Sequence, residues 1–306
     1  MQKIGNFCQL TRAWSLPISL FSCFLPFFWC VFEGGNVLYG ILAIIGVILA
    51  HLAANLADDF FDYKKIVKDF GINFDREKLG LQKEKCRLIS DGIFSINQVG
   101  ILSLILFFVA FLIGMFFAGV VGIDVIYIAL VTFILSVFYS KFTYIGLGEI
   151  VIGLIFCPLL YMGICYVMTG GYSLQLLGVS FAVMPILIGV LYNHTMLDFD
   201  FDSKHNKITL CSILGSRQKA FKMLCFLELA PFFIISFLVF FNLISSYFFF
   251  VVLALPYAFC VLYLISQVLE EKPEDFFKYF KPPMKLLVFF TILLIIAKAF
   301  QVYVKF

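Results

Sequence analysis

Nine apolar runs of roughly bilayer-spanning length follow one another along this chain, at about 13–32, 37–57, 98–118, 124–140, 148–168, 174–195, 221–241, 245–267 and 285–304. A helix needs about 20 predominantly apolar residues to cross a hydrocarbon core, and inside lipid each backbone N–H and C=O must find its partner within the protein. The runs predict an all-α polytopic membrane protein, a single domain over 1–306, with about nine transmembrane helices around a central cavity open to the cytoplasm. Composition agrees: 63% of the 306 residues are apolar and 13% are charged, which excludes a soluble globular domain and a disordered chain. The first run is too long for a signal-peptide core and lacks a small-residue cleavage site, so it reads as a retained span. Pro17, Pro26, Pro158, Pro185, Pro231 and Pro256 fall inside runs and predict kinks rather than breaks.

Two function classes drop out early. The nine Cys are odd in number, form no C-x-x-C pair and lie mostly in apolar runs, so neither a disulfide framework nor a zinc site is expected. A net charge of +3 with no basic stripe gives no reason to expect nucleic acid. The placement of the charge says more. Of the 22 Lys and Arg, all but Lys298 and Lys305 lie in the N-terminus or in the loops after runs two, four, six and eight. By the positive-inside rule those segments are cytoplasmic, and an odd number of spans leaves the C-terminus outside. The long cytoplasmic loops at 58–97 and 196–220 are then the expected seat of function.

Acidic residues gather where two even-numbered runs meet that side. NLADDFFDYKK places Asn55, Asp58 or Asp59, and Asp62 at spacings of three, four and seven, which on a helix share one face. NHTMLDFDFDSKHNK repeats the theme with Asn193, Asp198 and Asp202, while Asp200 points elsewhere. Carboxylates this close repel unless a cation lies among them, and an all-oxygen set favours Mg²⁺ or Ca²⁺ over zinc. Mg²⁺ held there would grip a diphosphate and stabilise it as a leaving group, with an apolar bundle for a lipid tail. His51 and His194 each lie one turn before the Asn of a motif or its first Asp, and a hydrogen-bonded structural role is the expectation for both.

These residues resemble the UbiA superfamily of intramembrane aromatic prenyltransferases. N-x-x-x-D-x-x-D at Asn55, Asp59 and Asp62 is similar to its first aspartate motif in the form used by the menaquinone branch, and D-x-x-x-D at Asp198 and Asp202 is similar to the second. K-x-T-L at 207–210 and Gly215 follow it. FYSKFTYIGLGEIVIGLIFCPLLYMGICYVMTG at 138–170 resembles the tyrosine, LGE and G-P stretch of 1,4-dihydroxy-2-naphthoate polyprenyltransferases, as do R-x-x-S-L-P from Arg12 and CRLISDGIFS from Cys86. Leu197 stands where the family often has Arg, and Cys157 where it usually has Gly before Pro158.

The resemblance implies a set of roles. Asp58, Asp59, Asp62, Asp198 and Asp202 would hold Mg²⁺. Arg12, Asn55, Arg87, Lys141, Asn193 and Lys207 would contact substrate, with Lys64 and Lys65 beside them. The ring of Tyr139 would stabilise an allylic cation, and Glu149 would belong to the site. The implied reaction is Mg²⁺-dependent transfer of a polyprenyl group from polyprenyl diphosphate to an aromatic acceptor, 1,4-dihydroxy-2-naphthoate in menaquinone biosynthesis. Membrane lipid is the expected surrounding partner, and the cytoplasmic membrane the expected location. Hydroxybenzoate, a porphyrin or a glycerol phosphate lipid are the alternative acceptors, and a lipid-phosphate binder or transporter is the reading from another class.

Overall fold

The computed structural model describes residues 2–72, 86–143, 145–197, 199, 208–267, 269 and 276–304, and among them the secondary structure is helical. Eight helices are long and apolar enough to cross a membrane. The fourth expected span, 124–140, is a 14-residue helix, Asp124–Val137, that stops at Phe138 before a separate short helix begins at Tyr139. At about 1.5 Å per residue that helix covers about 21 Å, short of the roughly 30 Å hydrocarbon core. The chain forms two compact units, Met1–Phe21 with Leu38–Ser140, and Ser22–Val37 with Lys141–Phe306.

The first unit contains α1 (Gln2–Leu10), the start of α2 (Leu16–Phe32), α3 (Val37–Phe70), α4 (Arg87–Ser90), α5 (Ile96–Val120) and α6 (Asp124–Val137). Helix α3 corrects the expectation of a span ending near 57. DDFFDYKKIVKDF holds no Gly or Pro, so nothing breaks the helix until Gly71, whose left-handed φ of 82° and N–H to the Val67 carbonyl (2.9 Å) close it. The acidic motif therefore lies within a continuous helix of about 50 Å rather than in a loop. Leu10, Leu56, Leu88, Ile89 and Val99 form the core of this unit, with Phe60, Tyr63 and Phe94 against it. Two contacts lock α5 onto α3: Ser103 Oγ donates to the Ala53 carbonyl (2.8 Å), and Gly100 lies under the Phe60 ring, where a Cβ would come within 2.8 Å. Ser95 and Gln98 cap the start of α5 reciprocally.

The second unit takes the rest of α2 and, after α7 (Tyr139–Thr143), contains α8 (Gly148–Leu154), α9 (Leu160–Thr169), α10 (Leu174–Leu197), α11 (Leu210–Ile213), α12 (Arg217–Phe240), α13 (Leu255–Ser266) and α14 (Phe276–Tyr303). A π-helical turn, Ile155–Leu159, joins α8 to α9 and contains Pro158, so the ring without an N–H falls where the ladder is already widened. Pro26, Pro185 and Pro231 lie inside continuous helices, and Pro256 opens α13 in its first turn. Helix α10 is the axis of this unit and packs most extensively on α12. Glycines set those approaches: a Cβ on Gly153 would meet Ile188 at 2.7 Å, and one on Gly178 would meet Leu238 at 3.2 Å. At one end, Lys298 of α14 pairs with Glu33 (2.7 Å) and lies 4.2 Å above the Trp29 ring, whose Nε1–H also donates to Glu33 (3.1 Å).

Candidate active site

Arg12 organises the first acidic motif. It has left-handed backbone angles (φ 51°, ψ 44°) after α1, just before a 3₁₀ turn over Ala13–Ser15. From there its guanidinium forks over α3: Nη1 donates to Asp58 Oδ2 at 3.3 Å, and Nη2 pairs with Asp59 Oδ1. Burial works against the Arg12 charge, yet Asp59 and then Asp58 outweigh it and raise its pKa above the ordinary arginine value. Asp59 and Asp62 are buried, at 3% and 8% exposure, which is tolerable for carboxylates only beside compensating charge or donors. Cys86 supplies one such donor, its backbone N–H to Asp59 Oδ2 at 3.3 Å.

Asn55 lies one turn before Asp59 and faces the α1–α2 junction. Its Nδ2 donates to the Thr11 carbonyl (2.9 Å) and to Ser15 Oγ (3.2 Å). His51, a further turn along, meets Ser15 Oγ through Nε2 (2.8 Å) and Ser19 Oγ through Nδ1. The expectation of a hydrogen-bonded histidine holds. Sequence reasoning missed Thr11, Ser15, Ser19 and the Cys86 amide. The serines stand at i and i+4, Ser15 inside the R-x-x-S-L-P run and Ser19 two residues past its end.

Arg87 lies on α4 and pairs with Asp91 at 3.5 Å, both about half exposed. Tyr139 is half-buried on α7, and Lys141, on the same short helix, is exposed.

In the second unit, Glu149 opens α8 and is buried at 8% exposure, accepting from Thr195 Oγ1 on α10 at 3.3 Å. Gly146 makes the preceding turn with φ 74°, and a Cβ there would strike Ile213, which explains the glycine before LGE. Asn193 is fully buried, with Nδ2 donating to the Tyr279 carbonyl (2.9 Å) and Oδ1 without a hydrogen-bond partner among the described residues. Leu197 is buried and ends α10. Asp198, Asp202 and Lys207 lie outside the described residues. The end of the second motif is within them: Thr209 and Ser212 form a reciprocal cap on α11, Gly215 turns at φ 74°, and Ser216 caps α12. Glu228, on α12, was overlooked as a lone acid in an apolar run. It is fully buried, and neither oxygen has a hydrogen-bond partner among the described residues.

Among the described residues no three of His, Cys, Asp and Glu come together as a ready metal cluster. The donor chemistry nevertheless fits Mg²⁺. Asp58, Asp59 and Asp62 offer hard oxygens, and the first two already attract a cationic group.

Eight spanning-length apolar helices, one of them carrying a charge-paired carboxylate motif, define a polytopic membrane protein. The sequence matches the model of the UbiA prenyltransferase family over residues 19–293, and the chain belongs to that family; it is a prenyltransferase. Solved structures share the fold. Digeranylgeranylglyceryl phosphate synthase superposes with a TM-score of 0.65 at 14% identity over 100% of both chains. A UbiA homolog from Archaeoglobus fulgidus bound to GPP and Mg²⁺ does so with 0.65 at 13% identity, over 98% of this chain and 99% of that one. The apo UbiA homolog from Aeropyrum pernix K1 gives 0.58 at 14% identity, over 91% and 96%. No curated protein is significantly similar in sequence.

Proposed function

We propose that this chain transfers a polyprenyl group from polyprenyl diphosphate to 1,4-dihydroxy-2-naphthoate, in menaquinone biosynthesis, with Mg²⁺ as cofactor. The supporting observation is the Asp58–Asp59 pair, Asp59 buried, under the Arg12 guanidinium, in a chain of the UbiA prenyltransferase family. The Archaeoglobus fulgidus homolog bound to GPP and Mg²⁺ supports the same substrate chemistry. Asp58, Asp59 and Asp62 of the first motif and Asp198 and Asp202 of the second would hold Mg²⁺, which when bound would neutralise diphosphate charge and improve it as a leaving group.

The other residues work on the substrates. Arg12 and Arg87 each present a planar fork of donors, suited to two phosphate oxygens at once, and Lys141 and Lys207 add point contacts. Asn55 and Asn193 orient the motif helices and the head group. As the C–O bond to diphosphate breaks, the allylic carbon becomes cationic, and the Tyr139 ring face stabilises it. The electron-rich acceptor ring attacks that carbon; for the naphthoate, the new C–C bond forms where the carboxylate leaves as carbon dioxide. Membrane lipid surrounds the bundle, and the prenyl tail runs among its apolar side chains. The distribution of Lys and Arg supports a site facing the cytoplasm across the cytoplasmic membrane.

The test is a competition. Purified protein with Mg²⁺, one polyprenyl diphosphate and equal concentrations of dihydroxynaphthoate and 4-hydroxybenzoate should yield prenylated naphthoate as the main product. The aspartates treat both acceptors alike, so selectivity comes from apolar contact with the second ring, about one to a few kcal/mol. Prenylated hydroxybenzoate as the main product would refute the naphthoate assignment while leaving prenyl transfer intact.

A further inference from the structure

The hydrogen bonds under the first motif have a single consistent direction. The one hydroxyl hydrogen of Ser15 goes to the Arg12 carbonyl (2.8 Å), so Ser15 Oγ acts only as an acceptor toward its other two partners. Those partners are Asn55 Nδ2–H (3.2 Å) and His51 Nε2 (2.8 Å), and with the Ser15 hydrogen on the Arg12 carbonyl it is the Nε2-protonated tautomer of His51 that completes the set. Nδ1 is then the acceptor for Ser19 Oγ–H. The chain runs Ser19 to His51 to Ser15 to the carbonyl of Arg12, and it ends on the residue whose left-handed backbone aims a guanidinium at Asp58 and Asp59. A second strand, Asn55 Nδ2 to the Thr11 carbonyl (2.9 Å), holds the preceding peptide. Both strands pass through α3, the helix that carries the aspartates, at His51 and at Asn55. Left-handed geometry at a non-glycine residue is costly and persists only where its surroundings enforce it.

We propose that His51 is a positioning residue for the diphosphate head site, fixing the Arg12 turn through Ser15 and so the placement of the guanidinium over the carboxylate pair. This rests on the assignment of that pair and Arg12 to the Mg²⁺–diphosphate head. His51 touches neither substrate nor metal in this role. Removing its donor leaves a lone pair of Ser15 unfilled and the Ser19 hydroxyl without its acceptor, and the Arg12 turn loses its support from α3. Glutamine keeps an N–H toward Ser15, so it restores the part of the chain that matters; leucine restores none.

The experiment uses the full chain in detergent, with Mg²⁺ plus inorganic diphosphate as the probe, read as the rise in Tm over ligand-free protein. Steady-state KM values for prenyl diphosphate and for the acceptor are measured alongside. His51→Leu is expected to raise the prenyl diphosphate KM about tenfold, the low end for losing a supporting hydrogen bond behind a metal site. It should also shrink the diphosphate-induced rise in Tm and leave the acceptor KM unchanged, with His51→Gln returning both readouts toward wild type. If wild type responds to the probe and His51→Leu responds equally with an unchanged diphosphate KM, the proposal is overturned alone. It is overturned too if both KM values move together and His51→Gln gives no rescue, since that marks a purely structural residue. A wild-type protein unmoved by Mg²⁺ and diphosphate overturns the head-site assignment, and this inference with it.

Discussion

In the first unit, α3 and α5 bury only 11% of their most apolar 18-residue windows, whereas α10 in the second buries 56%. Polar groups follow the opposite trend. On α3, Asn55, Asp58, Asp59 and His51 all have named hydrogen-bond or ion-pair partners despite the thin packing. On the densely packed helices α10 and α12, Asn193 Oδ1 and both Glu228 oxygens have none among the described residues. One unit thus organises its acidic helix through charge and hydrogen bonds, the other through close van der Waals contact. A lipid-facing helix gains little from apolar burial against protein, so its site geometry depends on directional contacts that mutation can remove singly.

The largest expected effect is at the carboxylates. Asp59→Asn keeps the side-chain shape but removes the charge that holds a cation; turnover should fall by at least about 10³-fold with membrane insertion intact. Asp202→Asn should do the same, and near-native activity in either variant would remove its motif from the chemistry. Next comes the Lys298–Glu33 pair of the second unit, where Lys298→Met should leave Glu33 the Trp29 donor and cost about 2 kcal/mol. That is readable as a lower Tm at unchanged turnover per folded molecule. A smaller effect is expected at Gly189, where an added Cβ would come within 2.9 Å of Glu228 Oε1. Gly189→Ala should cost about 1 kcal/mol, because a side chain rather than backbone can yield. Smallest is Glu228→Gln, which removes no hydrogen bond or ion pair present among the described residues and should change activity less than about twofold. A large loss there would show that packing is not the whole account of the second unit.

Much of this was legible in the chain because membranes simplify the code. Hydropathy located the spans, since a 20-residue apolar run has few other uses, and Asp59 and Asp62 shared a face because α3 is helical through them. The helix end was misread: hydropathy marks where lipid stops, while the helix runs on until Gly71 permits a left-handed turn. The fourth run ends three residues past its helix for the converse reason, as apolar residues continue past Val137 although that helix does not. Partners separated by 27 to 47 positions, such as Cys86 with Asp59 and Arg12 with Asp59, carry no periodic signal and need the fold to bring them together. Glu228 did carry a signal, an acid within LCFLELAPFF, because ionisable residues inside spans are costly enough to require a reason.

The central claim is that the acidic motifs and Mg²⁺ drive prenyl transfer from a diphosphate to an aromatic ring. Its most direct test is release of inorganic diphosphate by purified protein given polyprenyl diphosphate, with dihydroxynaphthoate and Mg²⁺ each present or omitted. Release matched one-to-one by prenylated product, abolished by chelation, restored by Mg²⁺ and absent in Asp59→Asn is the predicted result. Binding of the prenyl diphosphate without diphosphate release, whatever the acceptor or metal, would contradict it.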